Sequence, residues 1–286
     1  MRIVSLLPST TEILFAIGAG DDVVGVTFEC DYPPQARTRR IVSTSALPDG
    51  LTPAQIDAFV VQAMSRGEDL YHLDEGALSD LDADLVVTQD LCAVCAVDVS
   101  VVDDALAHLG CTAEVLTVDP HTLDEVLESI LALGRSTGRL ASAEALVAEQ
   151  RRRLGVAWRH TMGRSRPRVM FLEWTDPPFA PGHWIPEMIE IAGGEPLLAT
   201  PGEKSRRVTW DQVQAADPDV VVVAPCGYDR DGSRRLADEL VASGVLPTGV
   251  PVHAVDANAS WARPGTRLPD GVAELGAILR TIKVGV

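Results

Sequence analysis

Cys92 and Cys95 form a Cys-x-x-Cys pair, the spacing at which two thiolates chelate one metal ion or close a redox disulfide. Cys30 and Cys226 each follow a strand-like run, on the side where loops of an open α/β sheet meet ligands. Together the four would make a soft tetrahedral donor set for zinc or an iron–sulfur cluster. The plain alternative is four buried thiols acting as small hydrophobes. Cys111 enters a strand from the opposite end and is expected in the core. His183, beside Trp184 in a Pro/Gly loop, could be an axial ligand to a metal cofactor or replace one thiolate; it could equally be a helix-start histidine.

The loops that carry these thiols also carry aromatic residues. Tyr32, Trp174, Phe179, Trp184, Tyr228 and Trp261, with Asn258 and Arg263 as polar partners, would wall a site for a flat organic ligand. Packing between neighbouring loops is the competing use of such residues. Catalytic signatures are missing: the sequence has no P-loop, no Gly-x-Ser-x-Gly and no His-Glu-x-x-His. A non-enzymatic binder is therefore expected.

These loops need elements to position them. Short Val/Ile-rich runs, apolar on both faces, suit the covered strands of a parallel sheet: Arg2–Leu6, Asp22–Val26, Ile41–Val42, Leu85–Thr88, Glu114–Val118, Val169–Leu172, Val220–Ala224 and Val252–Val255. Helices fill the gaps, the first near Ser9–Ile17, closed by Gly18. Another spans Thr52–Met64, with Thr52 as cap and Pro53 in the first turn. From Thr122 to about Thr161 the pattern stays helical; about 40 residues would span roughly 60 Å if Gly134 and Gly138 do not kink it. The halves echo each other: Asp82-Ala83-Asp84-Leu85-Val86 answers Asp217-Pro218-Asp219-Val220-Val221, and Arg2-Ile3-Val4 answers Arg168-Val169-Met170. The expected architecture is α/β, two Rossmann-like lobes with parallel sheets joined by a long backbone helix: a lobe over 1–120, the linking helix over 121–163 and a lobe over 164–286. The site is expected in the crevice between the lobes.

With 286 residues, 46% of them apolar, the chain can bury a sizeable core. Its net charge of −17 repels phosphate backbones and anionic membranes, so nucleic acid is not an expected partner. The opening Met1-Arg2-Ile3-Val4-Ser5-Leu6-Leu7-Pro8 is too short an apolar run for a signal peptide, and no run reaches the length of a membrane span. The expected location is the cytoplasm, unless the chain is the trimmed form of an exported protein. An odd number of cysteines, five, fits free thiols or thiolate ligands rather than a disulfide framework.

The order of segments resembles a known family. Ile3-Val4-Ser5-Leu6-Leu7-Pro8-Ser9-Thr10-Thr11-Glu12-Ile13-Leu14, followed by Gly18 and Val23-Val24-Gly25-Val26, is similar to the opening of vitamin B12-binding proteins, the substrate receptors of corrinoid ABC importers. Asp31-Tyr32-Pro33-Pro34, Pro177-Pro178-Phe179, Ala192-Gly193-Gly194 and Asp217-Pro218-Asp219 extend the likeness over essentially the whole chain, toward a cytoplasmic, cysteine-bearing branch. The resemblance implies the class III periplasmic-binding-protein fold, little hinge motion, and a corrinoid such as cobalamin, or another metal chelate, as ligand. It also implies that Glu12 and Glu187 match glutamates that dock an ABC permease. Two features depart from the family: the cysteines and the lack of an export signal. The alternative function is a cysteine-ligated zinc or iron–sulfur protein with a redox, sensing or metal-handling role.

Overall fold

The computed structural model describes residues 1–68, 70–73, 78, 80–89 and 113–283. Cys92, Cys95 and Cys111 lie outside the described residues. The chain divides into two compact units, Met1–Pro120 with Leu127–Val147, and His121–Val126 with everything from Ala148 on.

In the first unit the elements run β1 (Ile3–Ser5), α1 (Pro8–Ala16), β2 (Val23–Val26), β3 (Arg40–Ile41), β4 (Ser43–Ser45), α2 (Pro53–Arg66), β5 (Tyr71–Leu73), β6 (Leu85–Thr88) and β7 (Glu114–Thr117). Five of the strands form one parallel sheet in the order β3-β2-β1-β6-β7, and β4 pairs with β5 antiparallel. Alternate side chains feed opposite layers. Ile3, Leu85 and Val87 join one apolar cluster, whereas Val4 and Val86 join another. α2 starts as its sequence dictates: Thr52 Oγ1 accepts the Gln55 N–H at 3.4 Å, Gln55 reaches back to the Thr52 N–H at 2.9 Å, and Pro53 sits in the first turn.

Two helices follow where one was expected, α3 (Leu123–Ser136) and α4 (Leu140–Thr161). The single linking helix over 121–163 is thus corrected. Gly138 adopts a φ of +67°, a left-handed conformation that ends α3. The chain then folds back so tightly that a Cβ on Gly134 would stand 2.4 Å from the Ala143 Cβ. α3 begins in the second unit and ends in the first; α4 makes the return.

The second unit continues with β8 (Arg168–Leu172), β9 (Trp174–Thr175), β10 (Pro178–Ala180), α5 (Ile185–Ala192), β11 (Glu195–Pro196), β12 (Arg206–Arg207), α6 (Trp210–Ala215), β13 (Val220–Val223), α7 (Arg230–Ser243), β14 (Val252–Ala254), α8 (Ala257–Ser260) and α9 (Leu268–Leu279). Its parallel sheet has the order β11-β8-β13-β14, and β9, β10 and β12 form a small antiparallel sheet beside it. Val169, Phe171, Val220 and Val222 pack on one face, with residues of α5 and α9; Met170, Leu172, Val221 and Val223 pack on the other. Burial of each such side chain contributes about 1.5–3 kcal/mol, so these clusters hold each unit together.

Among the described residues no helix is long and apolar enough to cross a membrane.

Candidate functional site

In an open parallel sheet the point where strand order reverses leaves a crevice outside the carboxyl ends of the strands. The second unit reverses between β8 and β13. Directly after β8 come Glu173 and then Trp174, which opens β9; the loop after β13 supplies Cys226 and Tyr228. Backbone bonds tie the two loops together. The Cys226 N–H donates to the Glu173 carbonyl at 3.1 Å, and the Asn258 N–H, from α8, donates to the Tyr228 carbonyl at 3.1 Å. The Trp174 and Tyr228 rings lie 5.9 Å apart at 59°, an edge-to-face pair, and the Trp174 indole N–H is held by the Asp176 carbonyl at 3.1 Å. Cys226 is exposed. Of the residues chosen from sequence, this site therefore gathers Trp174, Cys226, Tyr228 and Asn258.

Glu173 organises the loop beside it. Its Oε1 accepts the Gly182 N–H at 2.7 Å, and Ser205 donates to the carboxylate as well. Burial outweighs both bonds and pushes the Glu173 carboxyl up to about 7. Gly182 is obligatory, because a Cβ there would meet the Ser205 backbone nitrogen at 2.0 Å. Next to it, His183 has a φ of +51°, donates its N–H to the Glu203 carbonyl at 2.6 Å and stacks obliquely 5.5 Å from His121. Burial first, then His121 and Lys204, drive its imidazole down to about 4, so it is neutral near pH 7. Its Nε2 is buried without a hydrogen-bond partner among the described residues. Glu173, His121 and Lys204 were not picked as site residues from sequence. Glu173 could have been, since it directly follows a strand; nothing in the sequence pairs His121 with His183.

Two tryptophans expected to line a ligand are core residues instead. Trp261 is fully buried and Trp184 is 5% exposed; both belong to the cluster under the sheet, and Trp184 Nε1–H donates to the Trp261 carbonyl at 2.8 Å. Trp261 also packs on Phe171 at 4.8 Å. Phe179 sits on β10 beneath Arg207, whose guanidinium lies 5.7 Å from the ring. Arg263 is half-buried in the segment between α8 and α9.

The first unit has its own aromatic group. Phe28 stacks on Tyr71 at 5.4 Å, and the Tyr71 hydroxyl donates to Glu29 at 2.9 Å. Tyr32, on the same loop after β2, is 43% exposed. Nothing in the sequence pointed to Tyr71, which comes from β5, paired antiparallel with β4 across the intervening helix α2. Cys30 is buried, with its sulfur 3.0 Å from Thr11 Oγ1, inside a hydroxyl network that includes Ser5 and Thr10. That environment suits a thiol held as a small core group. Among the described residues no cluster of three or more His, Cys, Asp or Glu side chains could hold a metal.

Neither of the glutamates expected to face a permease is fully exposed. Glu12 is 2% exposed, so it offers no surface carboxylate. Glu187 is half-buried, and its Oε2 accepts the Leu123 N–H at 2.7 Å.

The sequence profile of the periplasmic binding protein family matches residues 3–244. A vitamin B12-binding protein of Yersinia pestis (strain Pestoides F) is 27% identical over 266 residues, which cover 91% of this chain and 79% of that protein. The periplasmic vitamin B12-binding protein BtuF of Vibrio cholerae superposes with a TM-score of 0.68 at 22% identity, over 98% of this chain and 96% of that one. A periplasmic heme-binding protein from Pseudomonas aeruginosa does so with a TM-score of 0.70 at 19% identity, over 99% and 94%. At these identities the solved structures establish the shared fold.

Proposed function

The chain belongs to the periplasmic binding protein family, and from that premise we propose that it is a non-enzymatic receptor for a metal-bearing tetrapyrrole, a corrinoid of the cobalamin type. One observation carries this reading: the Trp174–Tyr228 pair stands where strand order reverses, the place where an open α/β sheet takes its ligand. A large flat macrocycle is recognised by aromatic faces and a few polar groups at the rim, and here Asn258 and the exposed Cys226 neighbour the pair. The vitamin B12-binding relative favours a corrinoid; the heme-binding structures make heme the chief competitor. Delivery to an ABC permease belongs to this reading, and Glu12, being buried, offers no contact for it.

The test is a titration of the purified protein with cyanocobalamin and, separately, with hemin, followed by quenching of tryptophan fluorescence and by calorimetry. Saturable one-to-one binding of cyanocobalamin in preference to hemin is expected. Preference for hemin would overturn the corrinoid assignment and retain the receptor; saturation by neither would overturn both.

A further inference from the structure

The second unit holds a cavity that the receptor reading does not use. α4 and α9 flank a groove of about 650 Å³, within the range of small-molecule sites. Its floor is apolar, with Val156 and Ala157 from α4 and Val272, Gly276 and Leu279 from α9, and exposed Ala273 lines its mouth. Pro167, which also lines it, immediately precedes β8, so the groove opens at the amino end of the sheet. The Trp174–Tyr228 pair follows the carboxyl ends of β8 and β13. These are separate places in the same unit.

The rim is cationic in a chain whose net charge is −17. From Ala148 to Arg168 the sequence carries seven arginines against one acid, Glu149. Among the described residues, four arginines line the groove and no aspartate or glutamate does. Two of them are already paired, Arg152 with Glu149 at 2.7 Å and Arg153 with Asp270 at 2.5 Å. Arg164 and Arg280 enter no ion pair among the described residues. The helix ends nearby do not absorb their charge. α4 carries Arg159 and His160 in its own last turn. The end of α5 is met by Arg166, which donates to the Glu190 and Gly194 carbonyls at 3.3 and 2.8 Å. The end of α9 offsets roughly half a unit of Arg280 and no more.

We propose that this groove is a second ligand site, for an anionic amphiphile: an acyl or similar apolar body along the floor, with its acid group on Arg164 and Arg280. An apolar body alone would need no such rim, and an inorganic anion would need no such floor.

Dansylaminoundecanoate, a fluorescent fatty-acid probe, tests this on the full chain. Saturable enhancement of its emission is expected, reversed by laurate and far less by dodecanol. Arg164→Glu with Arg280→Glu should weaken the probe about tenfold or more, as loss of two charge-assisted contacts predicts. Ala273→Trp, at an exposed position on α9, should block the groove while leaving the circular dichroism spectrum unchanged. Trp174→Ala with Tyr228→Ala should leave probe affinity intact. Unaltered binding in both groove variants, equal displacement by dodecanol, or loss of binding in the Trp174/Tyr228 variant would each overturn the proposal.

Discussion

Glu173 fastens Gly182 from nine residues away, its Oε1 accepting the glycine N–H at 2.7 Å. The bond holds the loop on which His183 sits, and the two titrating groups oppose each other. Glu173 is raised from 4.5 to about 7, so the stability it contributes is complete below 4.5 and is lost as pH rises through about 7. His183 is lowered from 6.5 to about 4, so its contribution is present above 6.5 and is lost as pH falls through about 4. Where the windows overlap, the two slopes offset. Glu173→Gln keeps an amide oxygen for Gly182 and removes the falling limb. Its unfolding free energy should therefore climb with pH across the histidine window and exceed that of the parent above pH 7, by about 1–3 kcal/mol. His183→Gln should show the reverse, a midpoint that declines as pH rises. Urea titrations at several pH values decide the matter; a parental profile in Glu173→Gln would refute the linkage.

The tryptophans divide by burial. Trp184→Ala and Trp261→Ala each empty part of the core under the second sheet, and each should cost about 3–5 kcal/mol. Trp174→Ala and Tyr228→Ala remove half-buried side chains, so they should cost about 1 kcal/mol or less in stability and weaken ligand binding about ten- to a hundredfold. Thermal melts paired with cyanocobalamin titrations separate the classes. If Trp261→Ala is as stable as the parent, its assignment to the core is wrong.

That division was not legible in the sequence. Trp174, Trp184 and Trp261 all follow strands, and only the direction of each side chain decides whether it faces solvent or core. Strands such as β8 and β13 were legible, because Val169–Leu172 and Val220–Val223 are apolar on both faces and such a run needs cover on both sides. The start of α2 was legible for a local reason, since Thr52 and Gln55 complete their box within four residues. The reversal between α3 and α4 was harder. Gly138 marks a possible end, but the close approach of Gly134 to Ala143 depends on how two helices pack. Likewise Tyr71 meets Phe28 only because β5 pairs with β4.

The internal echo has a physical counterpart in two aspartates. Asp84 Oδ2 accepts the Arg2 N–H at 2.7 Å while the Asp84 N–H donates to the Arg2 carbonyl at 2.8 Å. Asp219 repeats both bonds with Arg168, at 2.7 and 2.9 Å. Each aspartate fixes the start of the first strand of its sheet against the next one. Asp219, half-buried, should cost about 1–2 kcal/mol on change to Ala, and exposed Asp84 less. Hydrogen exchange at Arg168 should accelerate in Asp219→Ala, with Arg2 unaffected; Asp84→Ala should show the opposite pattern. Acceleration at both sites in either variant would contradict independent clips.

The amino end of α3 rests on two carboxylates. Glu125 Oε2 accepts the N–H groups of His121 and Thr122, at 2.5 and 3.1 Å, and Thr122 Oγ1 accepts the Glu125 N–H at 3.2 Å. Glu187, from α5, takes the Leu123 N–H at 2.7 Å. These groups satisfy donors that a helix start leaves unpaired and place negative charge at its positive end. Glu187→Ala strands a partly buried N–H and should destabilise the second unit by about 1–2 kcal/mol. Glu187→Gln retains an acceptor oxygen and should lose less than half of that. A permease contact would rank the variants differently: both would abolish a surface charge, so both would impair docking equally. Melting temperatures of the two variants, compared with the parent, therefore discriminate a capping glutamate from a docking one, and equal stability of all three proteins would remove the capping role.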